Sequence, residues 1–239
     1  MIGATVKRRI GLGLAAGAVL AIAVMAGVAW VTAQESPEAS AHATHQQSPA
    51  IAHPEVSGLR VVTREEVAPP APAFPFVLVG QNGEAVSLGD LSGQVVLVSF
   101  LYTNCPEACP LITAYYQDLQ RRFSDAIDQG RLSLVLITTD PDHDTPEHLR
   151  EYTSAKGGRW LFLSGDMASL QAAWDGYGVY REEQAHLKDV VVYHSYKTHL
   201  LDAQGQKRAI YQGVFQPDQV AADIHGLLAV PDHDRSARP

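Results

Sequence analysis

Cys105 and Cys109 are the only cysteines in this 239-residue chain, and they lie four positions apart in Tyr102-Thr-Asn-Cys105-Pro-Glu-Ala-Cys109-Pro110. Thiols this close can form a disulfide or hold a soft metal as a pair of thiolates. Each precedes a proline, whose ring disfavours the α region for the residue before it. The expectation is therefore an extended backbone at both cysteines and a loop between them. Cys105 would take the more exposed position, and Pro110 would open a helix. Peptide dipoles favour negative charge at a helix N-terminus, which would lower the thiol pKa values and make the sulfurs reactive. Thioredoxin-type redox pairs have two residues between the cysteines. Three residues here let the sulfurs separate, which shifts the balance toward a metal without excluding a redox or structural disulfide.

A dithiol needs a further donor to hold a metal selectively. The chain has no third cysteine, and its methionines are Met1, Met25 and Met167, so histidine must supply the donor if the site holds a metal. His194 lies in the strand-like run Val190-Val-Val-Tyr-His194-Ser-Tyr, and His199 follows five residues on. On one regular strand they would point to opposite faces, and spacing alone does not choose His194. Two thiolates and an imidazole suit copper(I) or copper(II). Zinc would want a fourth ligand, and none is evident.

The elements that must carry these residues follow from the hydrophobic pattern. Phe76-Val-Leu-Val and Ala85-Val-Ser-Leu flank Gly80-Gln-Asn-Gly83, which reads as a hairpin with an Asn-Gly turn. Residues 95–101 and 132–137 are continuous apolar runs, as expected of strands buried on both faces. Leu111, Tyr115, Leu119 and Phe123 recur at helical spacing. Thr145 and Pro146 are placed to cap and open a second helix. Residues 160–163 read as a short strand and 167–177 as a helix. Residues 190–201 and 207–212 read as a hairpin around Asp202-Ala-Gln-Gly205, and 216–228 as a closing helix. Strand, crossover helix and parallel strand in this order give an α/β fold with a central sheet and helices on both faces. With a dithiol at the first strand-to-helix junction and an additional N-terminal β-hairpin, this order resembles a thioredoxin-like fold.

Residues 1–33 have a different character. Lys7, Arg8 and Arg9 precede an uncharged apolar stretch over 10–31. A membrane-spanning helix needs about 20 such residues, whereas the apolar core of a signal peptide runs to about 7–15. The length favours a retained single-pass anchor, and the Val31-Thr-Ala33 step leaves cleavage open. The basic flank places the N-terminus in the cytoplasm. The rest of the chain then lies on the extracytoplasmic side of the cell membrane, where disulfides are permitted. Residues 34–70 read as a flexible Pro- and Ala-rich linker with solvated histidines at 42, 45 and 53. Residues 71–230 read as the folded domain, beginning near Phe74, and 231–239 as a disordered tail. All 26 acids and 15 of the 18 bases lie beyond residue 33, so that part carries a formal charge of −11. Such an acidic surface argues against nucleic-acid binding.

Three segments carry a resemblance to a known family. Phe100-Leu-Tyr-Thr-Asn-Cys105-Pro-Glu-Ala-Cys109-Pro110 resembles the Cys-Pro-x-x-Cys-Pro loop of the Sco (SenC) copper-binding proteins that assemble cytochrome c oxidase. Thr139-Asp140-Pro141-Asp-His-Asp144-Thr145-Pro146-Glu147 is similar to that family's Asp-Pro-x-x-Asp-Thr-Pro-Glu segment. His194-Ser195 followed by Leu200-Leu-Asp202 is similar to its His-Ser strand and Leu-x-Asp turn. The resemblance implies one copper per domain, held by Cys105, Cys109 and His194. It does not extend to His199, which stands where the family usually has an aromatic residue. Tyr193 replaces the Asp that commonly precedes the ligand histidine. The implied function is a membrane-tethered copper chaperone rather than a turnover enzyme. The implied partners are the copper-bearing subunit of cytochrome c oxidase, other copper chaperones and thiol–disulfide reductases. The alternative is an extracytoplasmic thiol–disulfide oxidoreductase acting on the cysteines of that copper site. In that case Cys105 and Cys109 are the catalytic pair, the first attacking and the second resolving.

Overall fold

A computed structural model of the chain describes residues 63–106, 108–186 and 189–230. The first strand, β1 (Thr63–Pro72), is followed by a short hairpin, β2 (Val77–Gly80) and β3 (Ala85–Ser87), and a 3-10 turn at Leu88–Leu91. Then come β4 (Val95–Leu101), α1 (Cys109–Arg122), α2 (Ser124–Asp128), β5 (Leu132–Thr138), α3 (Pro146–Ala155), β6 (Leu161–Ser164) and α4 (Met167–Gly176). The chain continues through β7 (Arg181–His186), β8 (Asp189–His194), β9 (Lys197–Leu201), β10 (Gln206–Gln212) and α5 (Pro217–Leu228). Eight strands form one sheet in the order β1-β10-β9-β4-β5-β6-β2-β3, and β7 and β8 form a separate ribbon. The pairs β4–β5 and β5–β6 are parallel, and β9 runs antiparallel to β4. This is the expected thioredoxin-like α/β arrangement, with the extra N-terminal hairpin on one edge.

Strand alternation divides the core into two layers. Val95, Leu97 and Leu101 of β4 pack with residues of α1, α3 and α5, among them Ile112, Leu149 and Val220. Val96, Val98 and Phe100 pack on the other face with Leu170, Ala173 and Trp174 of α4. Every residue of β4 is buried, which is why the strand reads as an unbroken apolar run. Its one polar side chain, Ser99, is satisfied by Thr198 Oγ1 at 2.6 Å and by the Tyr116 hydroxyl, which donates to it at 2.9 Å. Helix α3 starts as expected: Thr145 Oγ1 accepts from the His148 N–H, with Pro146 in the first turn.

Three expectations are corrected. The first concerns the end of the linker. Thr63–Pro72 is an edge strand paired with β10, so the folded part begins before Phe74. Arg64 binds both carboxylate oxygens of Asp223 on α5, at 2.7 and 3.1 Å, and ties the strand down. Prolines are tolerated there because an edge strand leaves N–H positions unused. The second concerns residues 190–201, which do not form one strand. The chain turns at Ser195-Tyr196, where Ser195 N donates to Tyr180 O at 2.9 Å and Gly213 N donates to Tyr196 O at 2.8 Å. The third concerns Cys109, which is the first residue of α1 rather than an extended residue before it. Burial of Ala108 and Cys109 outweighs the local preference imposed by Pro110. The anchor at 10–31, the linker histidines and the tail lie outside the described residues. Among the described residues no helix is long and apolar enough to cross a membrane.

His199 has a consequence for stability. It is 2% exposed and packs edge-on to Phe100 and Tyr177 at centroid distances of 6.4 and 5.0 Å. Neither of its ring nitrogens has a hydrogen-bond partner among the described residues. Burial, reinforced by Lys207 and Lys197, lowers its pKa from 6.5 to about 3. The unfolded chain therefore binds a proton that the folded chain refuses between these values. Stability is expected to fall with pH through this window, by up to about 1.4 kcal/mol per pH unit from this residue. His199→Phe keeps the ring contacts and should flatten the slope between pH 6.5 and 5 in urea titrations. Equal slopes in both proteins would clear His199 of the effect.

Candidate metal centre

Three pieces of chain meet above the C-terminal end of β4. The first comprises residues 102–106 and 108 with the start of α1 and carries both cysteines. The second is the end of the β7–β8 ribbon, which carries His194. The third is the segment 139–147 between β5 and α3. Cys105 is 5% exposed and Cys109 1%, so the loop does not present its first sulfur to solvent as expected. Cys109 Sγ lies 4.0 Å from His194 Nε2, and Cys105 Sγ lies 3.9 Å from the Tyr196 hydroxyl. His199 is on the opposite face of the sheet, against Phe100 and Tyr177, and takes no part. Sequence reasoning thus named the cysteines and His194 but missed Tyr196, for which spacing carried no signal.

The electrostatics also differ from expectation. The Cys109 thiol is pushed up, not down, from its ordinary value. Its hydrogen bond with Cys105 contributes most, followed by burial and the neighbouring Cys105 charge, with Asp144 adding to them. Two adjacent sulfurs in an apolar setting resist double ionisation more strongly than a helix end can favour it. Tyr102, packed edge-on to His194 at 5.9 Å, has its phenol pushed up by burial and then by both cysteines.

His194 is arranged as a donor. Its Nδ1 faces Ser195 O at 3.3 Å. A carbonyl only accepts, so Nδ1 carries the proton and Nε2 presents its lone pair toward Cys109. Burial, with a smaller contribution from Arg181, lowers the imidazole to about 4, so the ring is neutral at ordinary pH. Ligating histidines characteristically hand their second N–H to a carbonyl or carboxylate in this way. Sulfur and nitrogen bound to one ion at about 2.3 and 2.0 Å would sit about 3.7 Å apart in a trigonal site. The 4.0 Å separation needs only a small closure. Among the described residues no three His, Cys, Asp or Glu side chains already stand as a closed ion site. The donor set nevertheless fits a soft monovalent ion, for which three ligands suffice.

The segment 139–147 is the support that the sequence left least defined. Asp144 is fully buried. Its carboxylate accepts from Thr103 N at 3.2 Å, from Thr103 Oγ1 at 2.5 Å and from Thr138 Oγ1 at 2.6 Å. Thr103 is two residues before Cys105, so this bond set fixes the root of the cysteine loop. His148 Nε2 lies 3.0 Å from Thr103 Oγ1 and closes the network from α3. On the helix side, Thr113 Oγ1 donates to Cys109 O at 2.9 Å and pairs with the Tyr152 hydroxyl.

Comparison with known proteins agrees with the fold. The family model for SCO1/SenC matches residues 64–229. The SCO1 protein homolog of Bacillus subtilis is 30% identical over 168 residues, covering 67% of this chain and 77% of that protein. The structure of Bradyrhizobium japonicum ScoI with copper bound superposes with a TM-score of 0.60 at 29% identity, over 66% of this chain and 99% of that one. Yeast Sco1 with copper bound matches with a TM-score of 0.55 at 25% identity, over 71% and 96% of the two chains.

Proposed function

The chain belongs to the SCO1/SenC family, and on that footing we propose that it binds one copper ion through Cys105, Cys109 and His194 and passes it on in cytochrome c oxidase assembly. The carrying observation is the 4.0 Å approach of His194 Nε2 to Cys109 Sγ beside a second buried cysteine. Relatives solved with copper bound support the choice of ion. Two thiolates that repel each other are stabilised by a cation lying between them, and a cuprous ion is soft enough to prefer sulfur. The ion is cargo here, and ligand exchange with a partner's thiols or imidazoles would release it. The partner is the copper-bearing subunit of the oxidase, with other copper chaperones or thiol–disulfide reductases loading or resetting the site. The apolar stretch 10–31 tethers the chain to the membrane, with the folded part on the extracytoplasmic side.

The second reading, thiol–disulfide exchange, is favoured by two free, buried cysteines four positions apart on one turn of chain. Copper titration of the chain separates the two. The reduced chain should take up one equivalent and the oxidised chain, with its cysteines joined, none. Equal uptake by both forms would show that the dithiol is not the binding group and would leave exchange as the better account.

A further inference from the structure

We propose that Arg181 is a positioning residue that holds His194 over the dithiol, an inference that rests on His194 being a copper ligand. Arg181 opens β7 and is the cross-strand partner of His194 at the end of β8. The ribbon formed by these two strands is not part of the main sheet, so its aim depends on what fastens its base. One fastening is the pair of bonds between Tyr180 and Ser195, with Tyr180 N donating to Ser195 Oγ and Ser195 N to Tyr180 O. That pair closes the ribbon on itself but does not attach it to anything else.

Arg181 makes a side-chain attachment at the base. Its Nε donates to Thr139 O at 2.5 Å, and its guanidinium lies 4.8 Å from the centre of the Trp174 ring. Trp174 is itself anchored: it is fully buried, and its indole N–H donates to Thr138 O at 3.0 Å. A terminal nitrogen of Arg181 also pairs with Glu183 on the same strand. The guanidinium therefore joins the ribbon to the start of the segment 139–147. The far end of that segment holds the root of the cysteine loop through Asp144 and Thr103. The histidine half and the cysteine half of the site are thus connected through one short piece of chain. Loss of the Arg181 contact removes the fastening directly across from the imidazole, leaving Val192 in the core and the edge of Tyr102 to hold the end of β8.

The sign of the effect separates positioning from charge. Removal of a cation close to a copper site should by itself tighten binding of a positive ion. Loss of positioning should weaken it by about 10- to 100-fold, the usual cost of losing a group that orients a ligand. The test measures copper(I) affinity of the reduced full chain by competition with a chromophoric chelator. Four proteins are compared: the parent, Arg181→Ala, His194→Ala and the double variant. The expected result is at least about a 10-fold loss for Arg181→Ala with His194 present and less than about 3-fold in the His194→Ala background. Arg181→Lys, which keeps a cation over Trp174 and one donor, should fall between parent and alanine. Should Arg181→Ala fail to fold, Arg181→Met keeps the stem on Trp174 and loses the bond to Thr139. Equal losses in both backgrounds, no loss, or tighter binding would overturn the proposal while leaving the ligand assignment standing. An unchanged affinity for His194→Ala would overturn both.

Discussion

Replacement of His194 by alanine is expected to weaken copper(I) binding by the reduced chain at least about 100-fold, more than the loss of an orienting group costs. Among the described residues the imidazole Nε2 is the nitrogen donor facing Cys109, and its Nδ1 proton is already committed to Ser195 O. Truncation leaves two sulfurs and no third ligand from the described surroundings. The folded state should not suffer, because a half-buried neutral ring with one long hydrogen bond contributes little beyond its packing. Thermal midpoints within a few degrees of the parent are therefore predicted alongside the loss of affinity. Thiol–disulfide exchange needs no imidazole ligand and should survive the change. An affinity within about threefold of the parent would remove His194 from the ligand set. Loss of both copper binding and exchange would instead point to a collapsed loop.

Asp144→Ala is expected to be the most damaging single change to stability near the site, at about 3–5 kcal/mol. The carboxylate is fully buried and receives three donors, Thr103 N, Thr103 Oγ1 and Thr138 Oγ1. A buried donor left without its acceptor costs about 1–3 kcal/mol. Burial raises the Asp144 pKa while the bonds from Thr103 and Thr138 oppose the rise, so the fold tolerates this acid only because those donors are present. Asp144→Asn keeps one acceptor oxygen and should cost less than half as much. Copper affinity should fall with the alanine variant as the root of the cysteine loop loosens. Urea unfolding of the three proteins at one pH checks the ranking. A loss below about 1 kcal/mol for alanine would mean that water or rearranged neighbours replace the carboxylate.

These two residues also mark the boundary of what could be read from the amino-acid order. Strands β4 and β5 were legible because both of their faces are buried, which leaves a run of apolar residues without alternation. The start of α3 was legible because capping chemistry is local: Thr145 reaches only to His148. β1 was not legible, since a polar, proline-rich edge strand owes its existence to β10 and to Arg64 gripping Asp223, 159 positions away. β8 was read as the first part of a strand over 190–201, whereas its partner β7 was missed. Arg181-Glu-Glu-Gln shows no apolar period, and β7 owes its strand form to pairing with β8.

In the site, the thiols stood out by type and spacing, and the family resemblance selected His194. Asp144 lay within a quoted segment without an assigned role, because one of its partners is a backbone N–H 41 residues distant. Arg181 was silent, because what it holds is a carbonyl oxygen and the face of a ring. The Cys109 thiol departs from the expectation because the neighbouring sulfur and burial outweigh the helix end. Fold and ligand types are thus visible in local pattern, whereas support and electrostatics depend on contacts that form only once the chain is folded.

The most direct test of the central claim is X-ray absorption at the copper edge on the reduced, copper-loaded chain. The account predicts two sulfur ligands and one nitrogen, with the multiple scattering typical of an imidazole ring that disappears in His194→Ala. A spectrum with sulfur ligands alone, or with no more than one sulfur, would contradict it.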